Sequence, residues 1–334
     1  MNKELRDKIQ NQLKTSCGNS RITLPKGFLF SEKGDTLTIT FQSKRGFGWD
    51  KKPCNMQEDS GAFEGWAAVL YVHYLKGRGQ ICLDIRREDV PPQEEALYTK
   101  FPHYSRFLYR VLRFSRQYDW FHISSLLEEL VNHFQRYLSH NTFTNNLPQG
   151  EAGMKESLEN VIESRFAKED AALLKGMLKS TGVGEIYRQL PVGLFKNAVC
   201  KENRVFTGQK SAIDLWTTDG ETLTVIELKT KNKMIGAVTE LFFYANYAYD
   251  LFVDQDNTFH KNPGHGERGY DMLSDSIHKV RGCLLLDEGS CHPLVDSGVL
   301  KALNGTRHCH LTYDLLVYHL EMALQKGHNT PTES

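Results

Sequence analysis

Three charged residues interrupt two apolar segments near the middle of the chain. The stretch SAIDLWTTDGETLTVIELK, residues 211–229, has the pattern of two strands joined by a tight turn at 218–220, and it carries Asp214, Glu227 and Lys229. Side chains along a strand alternate between faces, so Glu227 and Lys229 point to one side of the second strand. The turn brings the strands together and places Asp214 beside Glu227. Because buried charges need partners, this pattern predicts a functional site.

The chemistry open to these three side chains is the binding of a divalent cation. Two neighbouring carboxylates raise each other's pKa unless a cation neutralises them. Mg²⁺ takes one or two protein carboxylates and leaves its other positions to water and substrate phosphate. The predicted cofactor is therefore Mg²⁺, or Mn²⁺ in its place, and the Lys229 ammonium would orient the attacking water or stabilise an oxyanion. The alternative is a solvent-facing salt bridge at a strand edge.

The spacing of these residues resembles a known family. Asp214, then twelve residues, then Glu227-Leu228-Lys229 is similar to the D…(D/E)-x-K core of the PD-(D/E)XK nuclease superfamily, although Ile213 stands where the family often has proline. The resemblance implies that Asp214 and Glu227 bind the metal with help from the backbone carbonyl of Leu228. It also implies that Lys229 positions the attacking water.

The pattern of the second half of the chain predicts a mixed α/β sheet covered by helices on both faces. The order of helix, three strands, helix and strand is the one that the resemblance implies, a restriction-endonuclease-like fold covering about residues 154–290. The predicted helices are 154–166, 169–179, 237–252 and 311–324, and the predicted strands are 184–195, 212–217, 223–230 and 282–287.

Two further features resemble the superfamily. Many members carry a glutamate on the helix before the first strand, and here Glu156, Glu159 and Glu163 are the candidates, with Glu156 favoured. One branch carries Q-x-x-x-Y on the helix after the E-x-K strand, and here that helix has Glu240 and Tyr244, with glutamate in place of glutamine. The resemblance implies that this pair contacts the substrate or the metal. The alternative for both residues is packing between the helix and the sheet.

The first half of the chain is predicted to be a separate α+β domain. Residues 139–153, SHNTFTNNLPQGEAG, are polar and rich in Asn, Gly and Pro, which is typical of a linker. They divide the chain into an N-terminal domain at 1–145 and a nuclease-like domain at 150–334. The N-terminal domain has a predicted β-hairpin at 26–41, and its expected role is to bind nucleic acid, to contact a partner protein or to regulate the nuclease.

A basic face on one predicted helix is a candidate nucleic-acid contact. In the helical pattern at 104–118, Arg106, Arg110 and Arg113 fall on one side. These arginines are predicted to follow a phosphate backbone. The alternative is a solvated helix face that binds nothing.

Composition limits the class of protein. The 334 residues include 41 basic and 41 acidic side chains, so a polyanion must be bound by a local patch rather than by the overall charge. No apolar run is long enough for a membrane span, which takes about 18 residues. The seven scattered cysteines form no C-x-x-C pair, and this favours a reducing cytoplasm.

Together these observations predict a Mg²⁺-dependent nuclease. The resemblance favours DNA over RNA as substrate, a homodimer as the active form, and a role in DNA repair, restriction or defence against phage. The sequence does not distinguish an endonuclease from an exonuclease. The alternative is a catalytically silent nucleic-acid-binding or assembly subunit on the same fold.

Overall fold

The computed structural model describes residues 3–41, 56, 61–150, 157–180, 182–207, 211–254 and 258–319. The predicted α/β class is confirmed, because mixed sheets are flanked by helices. No helix among the described residues is long and apolar enough to cross a membrane.

The N-terminal part is built on a four-stranded sheet of order β1-β2-β3-β4. The predicted hairpin forms β1 and β2, which pair antiparallel, and β3 and β4 continue the sheet in parallel. The segment before β3 is helical, and α2 continues into a π-helical turn at Leu70–Tyr74. The elements are α1 (Lys3–Cys17), β1 (Phe28–Lys33), β2 (Thr36–Phe41), α2 (Phe63–Val69), β3 (Gln80–Ile85), α3 (Ala96–Lys100), α4 (Pro102–Gln117), β4 (Phe121–Ile123) and α5 (Ser125–Ser139).

The C-terminal part is built on a five-stranded sheet of order β12-β11-β9-β8-β6. Strands β9, β11 and β12 are parallel, whereas β8 is antiparallel to both β9 and β6. The elements are β5 (Phe143–Asn145), α6 (Leu158–Ala167), α7 (Ala171–Leu178), β6 (Tyr187–Pro191), β7 (Leu194–Lys196), β8 (Ala212–Asp219), β9 (Thr222–Lys229), α8 (Gly236–Phe252), β10 (Phe259–His260), β11 (Lys279–Asp287), α9 (Ser297–Asn304) and β12 (Leu311–Tyr318).

The two faces of this sheet are covered by different helices. Ile226 and Leu228 of β9 pack in one cluster with Ile162 of α6 and Leu174 of α7. Val225, one position along the strand, belongs to the larger core that also contains the apolar side chains of α8. The alternation predicted for β9 therefore separates a face toward α6 and α7 from a face toward α8.

The C-terminal end of the described chain corrects one prediction. Residues Leu311–Tyr318 form a strand that pairs with β11 over its whole length, so the helix predicted at 311–324 is wrong for these residues. The rest of that prediction, at 320–324, lies outside the described residues. The apolar residues LTYDLLVY fit either a helix or a buried strand when read alone. A row of main-chain hydrogen bonds to the neighbouring strand decides the outcome, and local sequence does not contain that information.

The two halves of the chain share one hydrophobic core. Helix α2 packs on α8, and the rings of Phe114 and Phe242 lie 5.0 Å apart, centroid to centroid. The predicted linker also contains β5, which pairs with β7 and β10 in a small third sheet. The division into domains at 1–145 and 150–334 stays a prediction.

Candidate active site

The strands β8 and β9 place two carboxylates opposite each other. Their antiparallel pairing runs from Asp219 and Thr222 beside the turn to Leu215 and Ile226. The main-chain pairing ends there, and Asp214 and Glu227 are the next residues of the two strands. At this position a side chain, not a main-chain carbonyl, accepts the hydrogen bond from β9. The backbone N–H of Leu228 donates to Oδ2 of Asp214 at 2.8 Å.

The Lys229 ammonium lies among three carboxylates from three elements. It contacts Glu227 Oε1 on its own strand, lies 3.2 Å from Oε2 of Glu240 on α8, and lies 3.9 Å from Oε1 of Glu159 on α6. The helices on both faces of the sheet thus reach the same lysine at the end of β9. The Lys229 side chain is 12% exposed, so water still reaches the group.

Burial and mutual repulsion perturb the protonation of the two opposed acids. Burial is the main cause that raises the pKa of Asp214, to about 7, and nearby glutamates add to it while Lys229 opposes it. Burial also raises the pKa of Glu227 well above its ordinary value, and the charge of Asp214 raises it further. Without an added cation, the two carboxyls therefore stay protonated to higher pH than exposed carboxyls do.

The same carboxylates raise the pKa of Lys229. Burial alone lowers the pKa of an ammonium, but Glu227, Glu240 and Asp214 outweigh it, and the pKa of Lys229 lies well above its ordinary value. At neutral pH the side chain is a cation that donates hydrogen bonds. It is not available as a base.

Two carboxylate oxygens at this site are buried and have no hydrogen-bond partner, Oε2 of Glu227 and Oε1 of Glu240. A buried acceptor without a donor is costly, and a bound cation would remove that cost. Among the described residues, however, no three His, Cys, Asp or Glu side chains converge closely enough to hold a metal by themselves. The fit for a metal rests on the opposed pair Asp214 and Glu227 and the free oxygen of Glu227.

The acidic residues predicted on the preceding helix take different positions. Glu156, the favoured candidate, lies outside the described residues. Glu159 approaches Lys229, whereas Glu163 accepts a hydrogen bond of 3.1 Å from Nε of Arg188. Of the described candidates, Glu159 is the one that contacts the lysine.

The predicted pair on α8 lies at the same place. Glu240 contacts Lys229, as described, and only 3% of it is exposed. Tyr244 is also buried, and burial raises the pKa of its phenol, with the charges of Glu227 and Glu240 adding to the shift. Both residues lie near the carboxylates around Lys229. Both are buried, so neither is on the surface where a long substrate would contact it.

The predicted basic face on α4 is wrong. Arg110 is fully buried and makes two hydrogen bonds of 2.6 Å to the Glu64 carboxylate. Arg106 is 2% exposed and donates to Oγ1 of Thr207, and Arg113 pairs with Asp250 at 2.6 Å. These arginines join α4 to other elements by buried ion pairs and hydrogen bonds. They do not form a stripe on the surface. Both interpretations of the pattern, a contact for nucleic-acid phosphates and a solvated helix face, are therefore wrong.

One residue beside the site was not predicted. In the pairing of β6 with β8, Arg188 lies opposite Leu215 and Leu190 opposite Ile213, which leaves Gln189 opposite Asp214. Gln189 has a φ of 53°, a left-handed conformation that is uncommon for a residue other than glycine. Such conformations concentrate at functional sites. No signal in the sequence identifies it, because glutamine carries no preference for that region.

In comparisons with known proteins, the chain matches no family model, no curated protein and no solved structure.

Proposed function

We propose that the chain is a metal-dependent nuclease of the PD-(D/E)XK type, which hydrolyses phosphodiester bonds in nucleic acid. The observation that carries the proposal is the position of Asp214 opposite Glu227, with Lys229 at the end of the same strand. The order of helices α6 and α7, strands β6, β8 and β9, helix α8 and strand β11 supports it. That order is the one expected of a restriction-endonuclease-like fold.

In this proposal, Asp214, Glu227 and the backbone carbonyl of Leu228 hold Mg²⁺ or Mn²⁺. The buried free oxygen Oε2 of Glu227 is available to the ion. When bound, the ion supplies charge neutralisation at the scissile phosphate and a lower pKa for a bound water. Burial raises the pKa of both carboxyls, so each must lose its proton before it can act as a ligand.

Lys229 acts as a hydrogen-bond donor. Its ammonium stays protonated because carboxylates surround it. It therefore orients the attacking water or binds a phosphate oxygen, and it does not take a proton from the water. Glu240 and Glu159 hold its Nζ from opposite sides of the sheet. Tyr244 is buried close enough to Glu227 and Glu240 for their charges to raise the pKa of its phenol.

The preference for DNA over RNA and the formation of a homodimer follow from the family resemblance alone. A role in DNA repair, restriction or defence against phage is consistent with the same chemistry. With the α4 arginines buried, nucleic acid would be bound by other surfaces of the chain.

One observation favours a second candidate function. The Lys229 ammonium contacts Glu227 directly and neutralises one of the two site carboxylates without a metal. A site balanced in this way could persist in a protein that has lost catalysis. The second candidate is a catalytically silent subunit that binds nucleic acid or assembles with a separate machine.

Cleavage of end-labelled single-stranded DNA, double-stranded DNA and RNA separates the two functions. The full-length chain is incubated with Mg²⁺, Mn²⁺ or EDTA, and the products are resolved by length. A nuclease gives cuts that depend on the metal, and the length distribution distinguishes internal cuts from stepwise removal of ends. Binding of a substrate that stays intact under every metal condition would favour the silent subunit.

A lysine pair provides the matched control. Lys229→Ala should lower the cleavage rate without weakening Mn²⁺ binding, because the lysine is not a metal ligand and its ammonium competes with the ion for Glu227. Lys233→Ala removes an exposed lysine four residues further along and should cleave like wild type. Equal rates for the two variants would contradict the role assigned to Lys229.

A further inference from the structure

A cavity of about 650 Å³ lies between the N-terminal part of the chain and helix α9. Tyr71, Trp120 and Ala302 form part of its wall, and Lys76 and Lys301 lie on its exposed rim. None of the acidic residues at the ends of β8 and β9 lines it. Its volume falls within the range of small-molecule sites, roughly 300–1,000 Å³.

The aromatic part of the wall is a rigid stacked pair. The rings of Tyr71 and Trp120 lie 4.5 Å apart with an angle of 10° between their planes. The Tyr71 hydroxyl donates to the carbonyl of Gly77 at 2.9 Å, and Trp120 also packs against Phe114. Both rings are half-buried, so the pair is held in place while part of its surface faces the cavity. Flat aromatic surfaces of this kind bind nucleobases by stacking, with little preference for one base.

The charge on the rim suits an anion. Lys76 and Lys301 are exposed and line the opening. The carboxylate that lines the cavity, Asp119, is in contact with the guanidinium of Arg307. The balance of charge at the opening is therefore positive, although the whole chain is neutral.

Small residues keep the cavity open. Gly77, Gly298 and Gly305 line it together with Ala302. Gly298 is packed closely, since a Cβ added there would lie 3.1 Å from Cγ1 of Val72. The absence of larger side chains at these lining positions contributes to the volume of the cavity.

We propose that this cavity binds a nucleotide, with the base stacked on the Tyr71–Trp120 pair and the phosphate between Lys76 and Lys301. A free nucleotide and a nucleotide within a single strand share this chemistry. The site is separate from the proposed nuclease centre, so it does not depend on the chain being a nuclease.

Binding is tested on the full-length chain in EDTA, where no metal-dependent cleavage interferes. The probes are adenosine 5′-monophosphate, adenosine, inorganic phosphate and a short oligodeoxyadenylate, each titrated by calorimetry. The monophosphate should bind about tenfold more tightly than adenosine, because it adds charge to stacking, and inorganic phosphate should bind weakest. Tighter binding of the oligonucleotide than of the monophosphate identifies a strand as the source, and the reverse identifies a free nucleotide.

Three variants locate the binding. Ala302→Trp fills the cavity from a half-buried helix position and should abolish binding of every probe. The double change Lys76→Glu and Lys301→Glu should weaken the monophosphate about tenfold and leave adenosine nearly unchanged. Lys279→Glu, an exposed lysine outside this cavity, should bind like wild type.

Two results would overturn the proposal. The first is the absence of binding of both the monophosphate and the oligonucleotide to the wild-type chain at about 1 mM. The second is binding that neither Ala302→Trp nor the double lysine variant changes, since the ligand would then lie elsewhere. The exposed lysine pair keeps the test valid if Ala302→Trp fails to fold.

Discussion

Replacing Asp214 with asparagine should stabilise the metal-free protein at neutral and alkaline pH. In the wild-type chain, burial and neighbouring acids raise the pKa of Asp214 from 3.8 to about 7. The unfolded chain loses its proton near pH 4, while the folded chain must hold the ionised form at a cost. The amide of asparagine keeps an acceptor for the Leu228 N–H and carries no charge. The variant therefore avoids that cost.

The magnitude follows from the pKa difference. One pKa unit corresponds to about 1.4 kcal/mol, so the titration of this group removes at most about 3 kcal/mol of stability between about pH 5 and about pH 8. Asp214 is half-buried, and screening by water reduces the effect. Between these pH values, we expect the free energy of unfolding of Asp214→Asn to rise by about 1–2 kcal/mol relative to that of wild type.

The pH dependence of the unfolding free energy follows from the proton balance of Asp214. Because the folded pKa is raised, the folded state binds more protons than the unfolded state between about pH 4 and pH 7. The contribution of Asp214 to stability is present at low pH and is lost as the pH rises through the folded pKa. Asp214 also raises the pKa of Glu227, so its removal relieves the second acid in the same direction.

Urea denaturation in EDTA at about pH 5 and pH 8 measures the effect, with the free energy of unfolding taken by linear extrapolation. Asp275→Asn, on an exposed loop, is the control and should follow wild type at both pH values. An equal difference in the free energy of unfolding between Asp214→Asn and wild type at both pH values would contradict the raised pKa of Asp214 in the folded chain.

Two further predictions concern the fold. Arg110→Ala should lower the free energy of unfolding by about 3–5 kcal/mol, because it leaves the Glu64 carboxylate buried without its partner. Arg116→Ala, at an exposed position of the same helix, should change it by less than about 0.5 kcal/mol, and similar urea midpoints for the two variants would contradict the burial of Arg110. Gly79→Ala should cost more stability than Gly34→Ala, as read from urea midpoints. Both glycines have positive φ, 86° and 61°, but only at Gly79 would the added Cβ lie 2.3 Å from a backbone carbonyl oxygen. A smaller cost at Gly79 would show that this contact relaxes.

The opposed acids could be predicted from the sequence because their geometry is local. Asp214 and Glu227 lie on strands joined by a tight turn, and the two-residue alternation sets the face of each side chain. The register then follows from the turn. The same reasoning placed Glu227 and Lys229 together at the end of β9, where the structure has them in contact.

The arginines of α4 could not be predicted in the same way. A helical stripe of arginine looks like a basic surface unless the partner acids are known, and these come from distant parts of the chain. Glu64 is 46 residues before Arg110, and Asp250 lies on α8. The helix predicted for Leu311–Tyr318 was wrong for a related reason. The segment is a strand because it pairs with β11, and β11 lies elsewhere in the sequence.

The proposed function requires Asp214 and Glu227 to hold the ion that would activate the water attacking the phosphodiester bond. The most direct measurement compares Mn²⁺ binding and single-turnover DNA cleavage on the same preparations of wild type, Asp214→Asn and Glu227→Gln. The account predicts that both variants fold, that their Mn²⁺ binding is weakened, and that cleavage falls by a factor of about 100 or more. A Glu227→Gln variant that cuts DNA as fast as wild type would contradict it.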